Sequence, residues 1–141
     1  MQSSSSVSVG KRLRRNAPTV VIADDDPVFR CLLDGYARAA GWQTVVASDA
    51  MQAVMFAIRV RPTAVLLDIN MPGGTGETAL ARIRASANTR QTPVIVVTGS
   101  EAPGLEFRVR DVGATGFIRK PVEPTAILAA LGAAVQASEA A

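Results

Sequence analysis

From Thr19 onward, five short apolar or β-branched runs alternate with segments of helical spacing, and this alternation restricts the possible folds more than any other feature. The runs are Thr19-Val20-Val21-Ile22, Thr44-Val45-Val46, Ala64-Val65-Leu66-Leu67, Val94-Ile95-Val96-Val97 and Gly116-Phe117-Ile118. They are nearly continuous in apolar character, as strands buried on both faces are. Between them, Phe29, Leu32, Leu33, Tyr36 and Ala40 recur at the three-and-four spacing that lines one face of a helix. Val54 with Ile58, Leu80 with Ile83, and Ile127-Leu128-Leu131-Val135 repeat that pattern. Asp26-Pro27 reads as an N-cap followed by proline in the first turn, and Gly41 as the stop. Ser48 or Asp49 is placed to cap the second helix, and Pro124 stands near the start of the fifth. The fourth helix carries the weakest signal. It begins near Pro103-Gly104, with Leu105, Phe107 and Val109 as its apolar anchors.

Strand and helix alternating in this way require a parallel sheet covered on both faces, joined by right-handed crossovers. The predicted fold is α/β: a flavodoxin-like, doubly wound five-stranded parallel sheet of order 2-1-3-4-5 with five helices. At 141 residues the chain is long enough for one domain with its own core. The expected boundaries are a Ser-rich basic tail over 1–17, a folded domain over 18–137 and a short tail over 138–141. Residues 1–17 hold four of the fifteen basic residues (Lys11, Arg12, Arg14 and Arg15) and no acid. The remaining eleven bases and twelve acids give a net charge of −1, so the overall +3 belongs to the tail. Four charges make a small footprint for nucleic acid or acidic lipid, and a solvated, disordered leader is the expectation. No apolar run approaches the ~20 residues needed to cross a bilayer, and no signal-peptide stretch follows the early charges. The single cysteine, Cys31, excludes an internal disulfide, and a cytoplasmic location is expected.

The unusual polar residues fall at the C-terminal ends of strands. Asp24-Asp25-Asp26 follow the first, Asp68 the third, Thr98 the fourth and Lys120 the fifth. In an open α/β sheet ligands bind outside those ends, where the strand order switches. An order of 2-1-3-4-5 puts strand 1 beside strand 3, so Asp24, Asp25 and Asp68 converge with Thr98 and Lys120 flanking them. Like charges at ~4 Å and an effective dielectric near 20 repel by roughly 4 kcal/mol. Such a cluster takes up protons or holds a hard cation. Oxygen-only donors without His or Cys favour Mg2+, which keeps waters and phosphate oxygens among its ligands. With an ammonium and a hydroxyl added, the site suits an incoming phosphoryl group, and a carboxylate can serve as its nucleophile. Each piece alone is ordinary: an Asp run is usually a solvated turn, and a threonine after a strand usually a cap. Acid, acid, hydroxyl and ammonium on four strand ends in that order are not.

Four stretches carry a resemblance to a known family. They are Val20-Val21-Ile22-Ala23-Asp24-Asp25-Asp26-Pro27; Asp68-Ile69-Asn70-Met71-Pro72 with Gly76; Pro93-Val94-Ile95-Val96-Val97-Thr98-Gly99; and Gly113-Ala114-Thr115-Gly116-Phe117-Ile118-Arg119-Lys120-Pro121. From Ala17 to about Ala137 the chain resembles the receiver domains of two-component response regulators, including the chemotaxis type. The resemblance implies a phosphoaccepting signalling switch that assists its own phosphorylation and dephosphorylation and is not otherwise an enzyme. Asp68 would be the phosphoacceptor. Asp25, Asp68 and the Asn70 backbone carbonyl would hold Mg2+ (or Mn2+), with Asp24 helping through water. Lys120, ahead of a cis bond to Pro121, would meet the phosphoryl oxygens. Thr98 would move to the phosphoryl group and Phe117 would turn inward with it, altering the helix 4, strand 5, helix 5 face. The implied partners are a histidine kinase or phosphotransfer protein and a downstream protein, the chain being a monomer or a phosphorylation-dependent dimer. No DNA-binding domain and no membrane contact are expected. Family members often carry Tyr where Phe117 stands and Ala or Ser where Gly99 stands, and the loop Gly73-Gly74-Thr75-Gly76 is unusually rich in glycine.

Two other readings compete. Gly74-Thr75-Gly76-Glu77-Thr78-Ala79 fits the G-x-G-x-x-A pattern of a dinucleotide- or nucleotide-binding module, with Glu101 roughly 20 residues further on. A true fingerprint starts right after the strand, whereas here Asp68 to Gly73 intervene. An aspartate-nucleophile phosphatase would pair its acids after the first strand with the nucleophile among them, and here the candidate nucleophile follows the third.

Overall fold

The computed structural model describes residues 17–72 and 75–140, Ala140 by its backbone alone. The basic tail before Ala17 lies outside the described residues, as do Gly73 and Gly74. Five strands, β1 (Thr19–Ala23), β2 (Gln43–Ala47), β3 (Ala64–Leu67), β4 (Val94–Thr98) and β5 (Gly116–Arg119), form one parallel sheet of order β2-β1-β3-β4-β5. Five helices alternate with them: α1 (Pro27–Ala39), α2 (Ala50–Val60), α3 (Gly76–Ala85), α4 (Leu105–Val112) and α5 (Pro124–Ala140). The expected class, strand order and helix number are all present. Helix α5 continues to Ala140, past the boundary expected at 137.

The pleat divides the core in two. Val20, Ile22, Ala64, Leu66, Ile95 and Val97 face α1 and α5, where Leu33, Ala37, Ile127 and Leu131 cover them. Val21, Ala23, Val65, Leu67, Val94 and Val96 point to the other side, under α2, α3 and α4. The alternation follows from strand geometry, and it explains why the central strands are apolar at all positions but Thr19 and Thr98, at their ends.

Local chemistry starts the helices. The Asp26 carboxylate accepts from the Val28 and Phe29 amides, and Pro27 opens α1. Asp49 caps α2 by accepting from Gln52 N–H at 2.8 Å, and Gln52 returns a contact to Ser48 N–H at 2.9 Å. Helix α4 is the exception: its N-cap is Gly104, in the left-handed region at φ 73°, with no side-chain cap.

Two sequence expectations need correction. On α1, Leu32 and Tyr36 are 47% and 45% exposed, and the buried face runs through Leu33, Asp34 and Ala37. The Thr44 hydroxyl on β2 donates to Asp34 Oδ1 at 2.5 Å, and Arg38 pairs with the same oxygen at 3.5 Å. The satisfied carboxylate turns the helix away from its most apolar stripe. On α4, Phe107 is 76% exposed and anchors nothing; Leu105 and Val109, one turn apart, are the buried pair.

The far end of α4 is held by Arg84 of α3. Its guanidinium donates to the carbonyls of Gly113 (2.9 Å), Thr92 (2.7 Å) and Thr89 (3.3 Å), tying α3, the loop before β4 and the turn before β5 together. Burial lowers the Arg84 pKa.

Candidate functional site

Register builds the site. Ala23 of β1 is paired with Leu67 of β3, so the next residues, Asp24 and Asp68, leave the sheet side by side. The Asp68 N–H donates to the Ala23 carbonyl at 2.9 Å and the Asp24 N–H to the Ala47 carbonyl at 3.1 Å, which extends the ladder through both acids. On the other flank, the Lys120 N–H donates to the Thr98 carbonyl at 2.8 Å and seats Lys120 over the end of β4.

Asp24, Asp25 and Asp68 each offer a carboxylate oxygen, all within 4.8 Å of one another. Their situations differ. Asp24 is buried with both oxygens occupied: Oδ1 accepts from Asp26 N–H at 2.9 Å and Oδ2 from Lys120 Nζ at 2.8 Å. Asp25 is exposed. Asp68 is buried, accepts from Asn70 N–H at 3.2 Å and lies 3.6 Å from Lys120 Nζ. The Thr98 hydroxyl, fully buried, accepts from Ser100 N–H at 3.1 Å and hydrogen-bonds Asp68. The bond between Lys120 and Pro121 is cis, as the resemblance implied.

Burial pushes the Asp68 carboxyl above its ordinary range; the Asp24 charge adds to this, while Lys120, the Asn70 amide and Thr98 offset it only in part. Burial alone would pull the Lys120 ammonium down, but the Asp24 hydrogen bond and the two carboxylate charges outweigh it and hold the ammonium above its ordinary value. A folded-state pKa above the unfolded one means that ionised Asp68 costs the folded chain stability at neutral pH. That cost is relieved as the pH falls through the raised value toward the ordinary 3.8. Asp68→Asn is therefore expected to melt higher than the parent in metal-free neutral buffer, with the gap closing by about pH 4. Scanning calorimetry across pH checks this; a variant melting lower at neutral pH would show that the pull of Lys120 outweighs burial.

Gly76 completes the floor. A Cβ there would stand 2.5 Å from Ile69 Cα and 2.6 Å from the Asp68 carbonyl oxygen, and the Gly76 N–H donates to Ile69 O at 2.9 Å. The glycine lets α3 press on the loop carrying Asp68. The space that a pyrophosphate would need beside Gly76 is filled by Ile69, which removes the nucleotide-fingerprint reading of this stretch.

The five side chains expected at the site, Asp24, Asp25, Asp68, Thr98 and Lys120, come together, and Asn70 stands in the loop after Asp68. Phe117 lies on β5, beside Val96, half-buried against the α4 side of the core. Sequence reasoning missed three neighbours. Arg30 donates to the Asp24 carbonyl at 2.7 Å. The Phe29 ring lies 4.3 Å from Lys120 Nζ. Arg119 covers the Phe117 ring at 5.2 Å and donates to the Ser100 carbonyl in the loop after β4. Phe29 and Arg30 read locally as helix residues, and nothing near them in the chain signals Lys120. A separate concavity of about 460 Å3, between Pro62, Asn88, Arg90 and Ser138, lies by the opposite ends of the strands, away from the acid cluster.

A parallel sheet whose strand ends gather three carboxylates, a hydroxyl and an ammonium has the makeup of an aspartyl-phosphate switch. The response regulator receiver domain model matches residues 20–132. This chain belongs to the response regulator receiver domain family and is a phosphoaccepting signalling domain. It is 32% identical over 117 residues to the transcriptional regulatory protein PdtaR of Mycobacterium tuberculosis, covering 82% of this chain and 56% of that one. Its structure is similar to the receiver domain of the sensor histidine kinase PA1611 from Pseudomonas aeruginosa, solved with a magnesium ion in the active-site cleft. The TM-score there is 0.78 at 26% identity, over 85% of this chain and 98% of that one. The chemotaxis response regulator CheY4 of Vibrio cholerae gives 0.79 at 27% identity, over 84% and 99%. The chain spans 24% of the length of PleD of Caulobacter vibrioides and 56% of PdtaR. No helix among the described residues is long and apolar enough to cross a membrane.

Proposed function

We propose that Asp68 is the phosphoacceptor of this receiver, charged by a histidine kinase or a phosphotransfer protein in the cytoplasm. The observation that carries this reading is the meeting of Asp24, Asp25 and Asp68 within 4.8 Å beside Lys120. The oxygen-only donor set and the mutual repulsion of the acids suit Mg2+, or Mn2+ in its place. Asp25, Asp68 and the Asn70 carbonyl would hold the ion. Asp24, its oxygens already engaged by Asp26 N–H and Lys120, would reach it through water. When bound, the ion neutralises the acids and the oxygens of the incoming group. Lys120 meets the phosphoryl oxygens and Thr98 follows them, drawing the loop after β4.

In this reading the folded unit begins at about residue 18 and runs through α5, and α4, β5 and α5 present the altered face to a downstream protein. Phe117 has no hydroxyl, so the coupling at its position works through packing. Helix α4 suits such a response: its N-terminus is uncapped and only Leu105 and Val109 bury it, while Arg84 grips the turn at its C-terminus. Incubation with acetyl phosphate and Mg2+, read by intact mass, tests the reading. One phosphoryl group per chain is expected, and none when EDTA removes the metal. No label in Mg2+, or equal label in EDTA, would overturn it.

A further inference from the structure

Phe29 stands in the first turn of α1, where its amide donates to the capping Asp26 at 3.3 Å. Its ring packs against the core under α1 and α5 without being fully buried. Lys120 Nζ lies 4.3 Å from the ring centroid, inside the ~6 Å reach of a cation–π contact. The same ammonium is 2.8 Å from Asp24 Oδ2 and 3.6 Å from Asp68 Oδ2. One cation is shared among two carboxylates and one aromatic face.

The geometry points to Phe29 as a positioning residue for phosphoryl transfer: its ring face keeps the Lys120 ammonium beside the acceptor without competing for it as an anion. This rests on Asp68 being the acceptor. In the transfer, a carboxylate oxygen of Asp68 forms a bond to the phosphorus of acetyl phosphate. The bond from phosphorus to the acetate oxygen breaks, and acetate leaves with the electron pair. Lys120 must then exchange carboxylate contact for phosphoryl oxygens. A third carboxylate at position 29 would neutralise the ammonium further and hold it back. An aliphatic side chain would leave the ammonium held by the carboxylates alone, so that on letting go of them the flexible stem could swing into solvent, the Lys120 side chain being already 21% exposed. An aromatic face attracts the charge through its quadrupole and demands no proton of it.

Three variants separate this role from core packing. Phe29→Leu removes the quadrupole, Phe29→Tyr keeps it, and a phenylalanine at position 29 fluorinated at three edge positions keeps the shape while draining the ring face. Labelling of Asp68 by acetyl phosphate at saturating Mg2+ is expected to slow about fivefold to tenfold in the leucine and fluorinated proteins. The tyrosine protein should stay within about twofold of the parent. Calorimetry with Mg2+ alone controls for damage to the metal site. The Lys120 Cε protons, read by NMR, should carry an upfield ring shift in the parent that the leucine protein loses. A fluorinated protein labelled at the parental rate, or a parent without the ring shift, overturns the proposal. A parent that takes no label yet keeps the ring shift removes the acceptor reading, and the positioning role with it, leaving the contact structural.

Discussion

Asp68→Ala is expected to take no label from acetyl phosphate and Mg2+, a fall of at least about 1000-fold against the parent. Loss of a nucleophile removes the covalent step itself, whereas loss of a group that only stabilises charge leaves a slower reaction. Asp24 and Asp25 have carboxylates in the same crevice, yet neither is expected to substitute for Asp68. Asp24 has both oxygens committed, to Asp26 N–H and Lys120, and Asp25 is exposed at its edge. Asp68 is buried, and its Oδ2 stands 3.6 Å from Lys120 Nζ, beyond hydrogen-bond distance. Peptide mapping after reduction of the acyl phosphate locates the label. Label on Asp24 or Asp25, or equal label on Asp68→Ala, would sink the assignment. Thr98→Ala provides the contrast within the same experiment. It should still take label on Asp68, but hydrogen exchange over 99–121 should respond to phosphorylation less than in the parent. A silent 99–121 segment in the phosphorylated parent would place the output elsewhere.

Gly76→Ala is expected to destabilise the fold by about 2–4 kcal/mol, an unusual amount for one added methyl group. The two nearest atoms to the new Cβ are backbone, Ile69 Cα at 2.5 Å and the Asp68 carbonyl oxygen at 2.6 Å, so moving the Ile69 side chain, at 2.9 Å, would not relieve the clash. Either α3 lifts or the Asp68 loop shifts. The first loosens Ala79, Leu80 and Ile83 from the core; the second moves the acceptor relative to Lys120. Gly132→Ala on α5 is the internal control. Nothing lies within 4 Å of a Cβ there, and the substitution should stabilise by up to about 1 kcal/mol through helix propensity and a less flexible unfolded chain. Urea melts of both variants check the pair. A Gly76→Ala protein as stable as the parent would mean that α3 and the acceptor loop separate freely.

The residues themselves determined the element order and the polar residues at the ends of four of the five strands. β-Branched runs, the Asp26 and Asp49 caps and Gly41 act within a few residues, so their effect is written locally. With the strand-order rule for open sheets, that was enough to bring Asp24, Asp25, Asp68, Thr98 and Lys120 to one crevice. Details that depend on distant pairing were not legible. The turn of α1 was decided by Thr44 reaching Asp34, against the more apolar stripe through Leu32 and Tyr36. The exposure of Phe107 was decided by the burial of Leu105 and Val109 under the same short helix. Arg84 became a clamp only because three backbone carbonyls, two in the loop before β4 and one in the turn before β5, faced it. The Phe29 ring met Lys120 only once β1 and β5 had brought α1 and the end of the sheet together. A local period specifies which residues form an element. Which neighbour a side chain meets across the sheet depends on register and helix rotation, and those are settled by packing and by satisfying buried polar groups in the assembled fold.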